Sequence, residues 1–234
     1  MNHGQIRVIL KTFLQNQRSN ITLDYRDYNE LINVAQLKHF KRKIGLPEEY
    51  QPGMPLPRQS IEITQKIEDD LRIFKVNYGD DQPIVKVING KLDIPDDYYI
   101  VSTLSVPVKG GERNVEIVSD TQWNDRLNSK LIAPRKRYPI CNFQHNFIRF
   151  SPPDIKYVKF IYYRYPKEAV YAVKRWAYDE ASLFPEYDPD NSVELEWDDI
   201  NIIDIIHILL TDLSIVVNKK DIANYANVKT QQGI

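Results

Sequence analysis

Cysteine, histidine and glycine are all scarce in this chain, and each shortage closes off a class of chemistry. One cysteine, Cys141, stands among 234 residues. A lone thiol forms no internal disulfide and supplies no thiolate-rich metal site, and it fits folding in a reducing compartment. The four histidines, at positions 3, 39, 145 and 207, lie far apart and lack metal-ligand spacing. The 8 glycines are outnumbered by 14 prolines, which favours fixed loops over flexible linkers. Gly110-Gly111 is an isolated pair, not a phosphate-cradling loop, and no nucleophile elbow occurs. No apolar run approaches the roughly 20 residues that span a bilayer. No basic start leads into an apolar stretch, as a secretory signal would. These shortages predict an intracellular soluble protein with no cofactor and no membrane partner.

What the chain does have is sorted charge. Its net charge is −1, too close to neutral for unspecific gripping of nucleic acid. Yet residues 1–45 carry +5, 46–108 carry −5, 109–175 carry +8, and 179–212 carry −11 with no Lys or Arg at all. Such blocks either fold against one another within a monomer or meet head to tail between neighbouring copies, which builds rings or filaments.

Apolar spacing predicts an α+β chain. Ile6, Ile9, Leu10, Phe13 and Leu14 recur at helical intervals. A second helix follows, with Thr22 as N-cap, Asp24 in its first turn, and Tyr25, Tyr28, Leu31, Ile32, Ala35 and Phe40 as its stripe. Lys38, Lys41, Arg42 and Lys43 suit its negative end, and Gly45 and Pro47 stop it. Residues 51–57 form an extended connector, and Ile63, Ile67 and Leu71 mark a short helix. Strands follow at 84–88 and 91–94 around the hairpin dipeptide Asn89-Gly90, then at 98–108 and 115–118. Asp120 caps an inserted helix through Trp123, Leu127 and Leu131, which Pro134 ends. Residues 140–150 and 157–163 read as a strand pair joined by a proline turn at 151–154, and 170–176 as one more strand. A long apolar C-terminal helix runs from Val193 or Trp197 to Leu213, with Asp198, Asn201, Asp204, His207 and Thr211 as a narrow polar stripe. The regions are thus N-terminal helices (1–75), a central mostly antiparallel β domain (76–178), and an acidic loop, helix and polar tail (179–234).

Two segments carry candidate function. Lys130, Arg135, Lys136 and Arg137, beside Tyr138, form the one basic cluster with an adjacent aromatic. It can meet phosphate or pair with the acidic 179–212 block. Glu186, Asp188, Asp190, Glu194 and Glu196 form an acidic segment suited to contact between subunits. Asp188 to Glu194 starts like a calcium loop, but Val193 stands where the sharp turn needs glycine. It reads instead as an acidic turn entering a helix. Asp204 and His207 share a helix face but lack a third ligand.

Seven segments, in order, resemble one family. They are Thr22, Asp27, Tyr28 and Asn29 with Ala35-Gln36; Thr64-Gln65 with Asp69, Asp70 and Leu71; Leu92 through Tyr99; and Asp120, Trp123, Arg126 and Leu127. Pro134 with Tyr138-Pro139, Pro152 with Val158 and Tyr162 through Pro166, and Leu195-Glu196-Trp197 complete the series. In order and spacing these resemble the ring proteins of crAss-like bacteriophages of gut Bacteroidetes, over roughly residues 22–215. The resemblance implies a structural virion protein in the head-to-tail connector or tail, made in the host bacterial cytoplasm. It implies no enzyme activity and no catalytic residues. Its partners would be other copies in a ring of the portal's twelvefold symmetry, the portal and other ring or tail proteins, and DNA in the lumen. A nucleic-acid-binding module using the basic cluster is the rival, followed by a tail-associated glycan hydrolase using acids within 179–199.

Overall fold

The computed structural model of the chain describes residues 1–16, 24–44, 61–79, 84–174 and 187–216. Thr22, Gly45, Pro47, the 51–57 connector and the tail after Lys219 lie outside them. The elements are α1 (His3–Asn16), α2 (Tyr25–Ile44), α3 (Ile61–Leu71), β1 (Lys75–Asn77), β2 (Val85–Lys86), β3 (Lys91–Asp93), β4 (Tyr98–Val108) and β5 (Gly111–Asn114). Then come β6 (Glu116–Ile117), α4 (Asp120–Asn128), β7 (Ile140–Phe143), β8 (Phe147–Ser151), β9 (Tyr157–Arg164) and α5 (Asp199–Val216). The chain is α+β, with helices and antiparallel-rich sheets. Two compact units divide it: Met1–Ile73 with Pro166–Ile234, and Phe74–Tyr165. The N-terminal helical region and the C-terminal region therefore share one unit, and the β unit ends at Tyr165.

In the β unit, one sheet runs β1-β9-β4-β5, with β2 also pairing β9, and a second runs β3-β8-β7-β6. Side chains from both sheets meet in one core: Leu104 and Val106 of β4 and Val158, Phe160 and Tyr162 of β9 join Leu92, Cys141, Ile148 and Phe150. Burial holds the Cys141 thiol inert, its pKa pushed up to about 12. Asn89 and Gly90 both take positive φ, at 51° and 70°, as the dipeptide predicts. The hairpin there is only one bridge long, Ile88 to Lys91. β2 then joins β9 and β3 joins β8, so the turn is a corner between sheets. The proline turn is a second such corner, and its Ser151–Pro152 peptide is cis. Strands 140–150 and 157–163 are not a pair. Residues 144–146 fold β7 and β8 into their own hairpin, and β3 takes the other edge of β8. The inserted helix is a crossover, since β6 and β7 pair in parallel and parallel neighbours need one. Its N-cap is Ser119, not Asp120: Ser119 Oγ accepts from Gln122 N, while Ser119 N donates to Gln122 Oε1 at 3.1 Å. The helix stops at Asn128, short of Leu131.

In the helical unit, α1 buries Ile6 and Leu10, and α2 buries Tyr28, Ile32, Ala35 and Phe40. α5 buries Ile202, Ile205, Ile206, Ile208, Leu209, Leu210 and Leu213. Each such Ile or Leu contributes roughly 1.5–3 kcal/mol. The expected polar stripe of α5 is not its solvent face. Asn201 is buried, whereas Ile200 and Ile203 are exposed. Asp198 caps the helix, accepting from Asn201 N at 2.9 Å, and Asp24 directly precedes α2, accepting from Tyr25 N at 2.7 Å. No helix among the described residues is long and apolar enough to cross a membrane.

The segment expected as a strand from 170 finds an unusual partner. Asn29 of α2 donates to Tyr171 O and accepts from Tyr171 N, at 3.2 and 2.7 Å. Asn33 does the same with Ala169, at 2.8 Å each way. Gln36 Nε2 donates to Lys167 O at 2.9 Å. Four residues of helix rise about 6 Å, and two residues of extended chain about 6.6 Å. Amides one helical turn apart therefore meet alternate peptides of an antiparallel segment. The helix substitutes for a neighbouring strand, with side-chain amides in place of its backbone. Val170 and Val173 add single bridges to Val193 and Tyr187.

Candidate functional site

The basic cluster sits on a loop whose path is set at both ends. Ser129 closes α4 in extended conformation, and its Oγ accepts from the amides of Leu131 and Ile132 at 3.3 and 3.2 Å. That turn leaves Leu131 and Ile132 pointing outward, 92% and 52% exposed. After Pro134, Arg135 and Tyr138 exchange both backbone hydrogen bonds, at 3.2 and 2.8 Å. Lys136 and Arg137 thus occupy the tip of a tight reverse turn. Lys130, Arg135, Lys136 and Arg137 are all exposed, as is Tyr138. Lys136 Nζ lies 2.8 Å from Asp154 Oδ2, an open pair worth at most about 1 kcal/mol. The Arg137 guanidinium lies 6.0 Å from the Tyr138 ring centre. The loop belongs to the β unit, and it combines exposed cations with uncovered apolar side chains.

The acidic segment is built differently. Glu186 lies outside the described residues. Asp188 is buried in its own turn, where Oδ2 accepts from Asn191 Nδ2 at 2.6 Å and its carbonyl accepts from Ser192 Oγ at 2.5 Å. The Asn191 bond holds its carboxyl below the usual range. Asp190 is exposed. Glu194 accepts from the His3 amide at 2.7 Å and from the Tyr187 hydroxyl; burial, then that bond, pushes the Tyr187 pKa up to about 12. Glu196 accepts from the Lys167 amide at 3.0 Å. Asp199 meets the Met1 amine, and Asp212 pairs with Lys38 at 2.7 Å. Glu194, Glu196 and Asp199 therefore pin the start of α1 and the extended segment at Lys167 within their own unit. The Lys38–Lys43 run has the same structural use, with Lys43 Nζ at 2.7 Å from Asp70.

Two buried histidines were not legible as sites. His3 Nδ1 accepts from Tyr28 Oη at 2.9 Å, while Nε2 donates to Val193 O at 2.8 Å. His39 packs edge-on to Trp197, ring centres 4.8 Å apart, and its Nε2 donates to Asn201 Oδ1 at 2.9 Å. Asn201 Nδ2 donates in turn to Asp198, which fixes the amide orientation. His3 has protein partners on both ring nitrogens and His39 has one on Nε2, and both rings act as struts. Among the described residues, no group of three or more His, Cys, Asp or Glu is placed to hold a metal. No protein-family model matches the chain, and a search of curated proteins finds no match.

Proposed function

We propose that this chain is a structural virion protein: one subunit of a multi-copy ring in the head-to-tail connector or tail of a crAss-like phage. The ring, twelvefold like its portal, extends the DNA channel below the portal and performs no chemistry of its own. The observation that carries this reading is the ordered series of segments, over roughly residues 22–215, resembling those ring proteins. The exposed apolar residues at 131, 132, 200 and 203 support it, since uncovered Leu and Ile beside segregated charge suit association. The long apolar C-terminal helix then lends its outer Ile residues to a neighbour.

Light scattering on the purified chain, with imaging of any assembly, tests the reading. A discrete ring is expected. A monomer at all accessible concentrations, together with virions lacking the chain, overturns it.

The exposed Arg135 and Arg137 favour a second reading, a nucleic-acid-binding module. It predicts duplex binding that falls steeply with salt, with a slope flatter by roughly 2 in an Arg135→Ala/Arg137→Ala variant. Binding that ignores salt would eliminate it.

A further inference from the structure

We propose that the 129–138 loop of the β unit is a membrane-surface contact: Leu131 and Ile132 enter the headgroup–acyl boundary of an anionic leaflet, and the cations around them meet its phosphates. This goes beyond the ring reading and does not rest on it.

The loop has the composition of an interfacial anchor. Leu131 is 92% exposed, and Ile132, Leu127 and Tyr138 are exposed as well. Lys130, Arg135, Lys136 and Arg137 stand exposed among them. No Asp or Glu occurs from Arg126 to Pro153 to dilute that charge. Among the described ion pairs, one engages the loop, Lys136 with Asp154 at 2.8 Å. Aliphatic side chains beside Lys and Arg, with a tyrosine at the edge, are the side chains that settle at the boundary of a negatively charged bilayer.

The backbone is prepared for that boundary too. A loop that leaves water needs its N–H groups already bonded. The Leu131 and Ile132 amides donate to Ser129 Oγ, Arg135 and Tyr138 exchange both backbone bonds, and Pro134 has no N–H to satisfy. The apolar tip therefore leaves water at small polar cost. Because both turns preset its path, little ordering is needed on contact.

The cations alone also fit duplex DNA, but backbone phosphate uses only them and leaves Leu131 and Ile132 in water. A lipid surface uses both. The lack of a membrane-spanning helix among the described residues bears on crossing a bilayer, not on resting against one.

The test is co-sedimentation of the full chain with vesicles of phosphatidylcholine alone and of equal parts phosphatidylcholine and phosphatidylglycerol. Binding is expected on the mixed vesicles only. Arg135→Ala/Arg137→Ala should weaken it roughly 25-fold, at about fivefold per cation, and Leu131→Ser/Ile132→Ser roughly tenfold or more. Thermal melts and light scattering follow the fold and mass of each variant. In a Leu131→Cys chain carrying an environment-sensitive dye, emission should shift to the blue on mixed vesicles and fall with a lipid-embedded quencher; Cys141 is buried and stays unlabelled. No binding to mixed vesicles, or equal binding to both kinds, overturns the proposal. So does binding that survives Leu131→Ser/Ile132→Ser with the dye left in water. Duplex DNA bound in place of vesicles gives the loop to nucleic acid, and variants that lose mass along with vesicle binding give it to a neighbouring copy; each overturns the lipid contact. A monomeric chain that binds mixed vesicles as described upholds it and removes only the ring reading.

Discussion

Replacing Asn33 with alanine should cost more than any exposed helix position would suggest. Asn33 is half-buried on α2, a place where alanine normally gains roughly 0.5 kcal/mol of helix propensity. Its amide, however, serves both polar groups of Ala169, each at 2.8 Å, and Ala169 is only 1% exposed. It also accepts from Gln36 Nε2 at 2.9 Å. Truncation removes four hydrogen bonds, the fourth given by Nδ2 to Asn29 O at 2.8 Å, and orphans a buried N–H and C=O with no strand beside them. At about 1 kcal/mol per typical bond, and more where a buried group is left alone, the loss is roughly 3–5 kcal/mol. Subtracting the propensity gain of roughly 0.5 kcal/mol leaves about 2.5–4.5 kcal/mol.

Urea unfolding monitored by the tryptophans of the helical unit, Trp197 among them, gives the number. Asn33→Asp is the companion variant. Its carboxylate still accepts from Ala169 N but faces Ala169 O with no proton to give, so it should be at least as damaging at pH 7. Part of that damage should be relieved as the pH falls toward about 4, where the new acid protonates and can donate again. A loss below about 1 kcal/mol for Asn33→Ala would refute the ladder as a source of stability. An Asn33→Asp variant as stable as wild type at pH 7 would refute its directionality.

Two further outcomes follow from packing. Burial lowers the pKa of His39 in the folded chain, outweighing the help from Asn201, so the unfolded chain binds the proton more readily. Stability is therefore full above about pH 6.5 and declines as pH falls through that value, levelling once below the folded pKa. Melts between pH 5 and 8 should show this slope, and His39→Gln should flatten it; an unchanged slope in the variant assigns the effect elsewhere. The β unit, with its core drawn wholly from within Phe74–Tyr165 and its ends brought together where Lys75 pairs with Tyr163, should fold as an isolated fragment. A dispersed two-dimensional amide spectrum is expected, and a collapsed one would show that the core needs the helical unit.

What the sequence conveyed and what it withheld divide along one physical line. Local codes were legible. Asn89-Gly90 announced positive φ, the spacing of Ile6 and Leu10 announced a helix, and β4 was readable from 98 to 108. Partnership was not, because it depends on which edges are already taken. Strands adjacent in sequence usually pair, yet β8 and β9 do not, since β3 and β7 occupy both edges of β8. The same rule governs polar residues. Asn29, Asn33 and Gln36 look like a solvated stripe until an extended segment, 131 to 142 residues away, lies down along them. Glu194 and Glu196 look like free interface charge until the backbone of His3 and Lys167 claims them. The acids are bound into the helical unit's own architecture, while Lys130, Arg135 and Arg137 remain on an outward loop beside Leu131 and Ile132. A charge that the fold has already used has little left to offer a partner, because a second partner must first displace the one that is there. On the exposed loop the one ion pair described is the open contact of Lys136 with Asp154, which is worth at most about 1 kcal/mol, so a partner would displace little there.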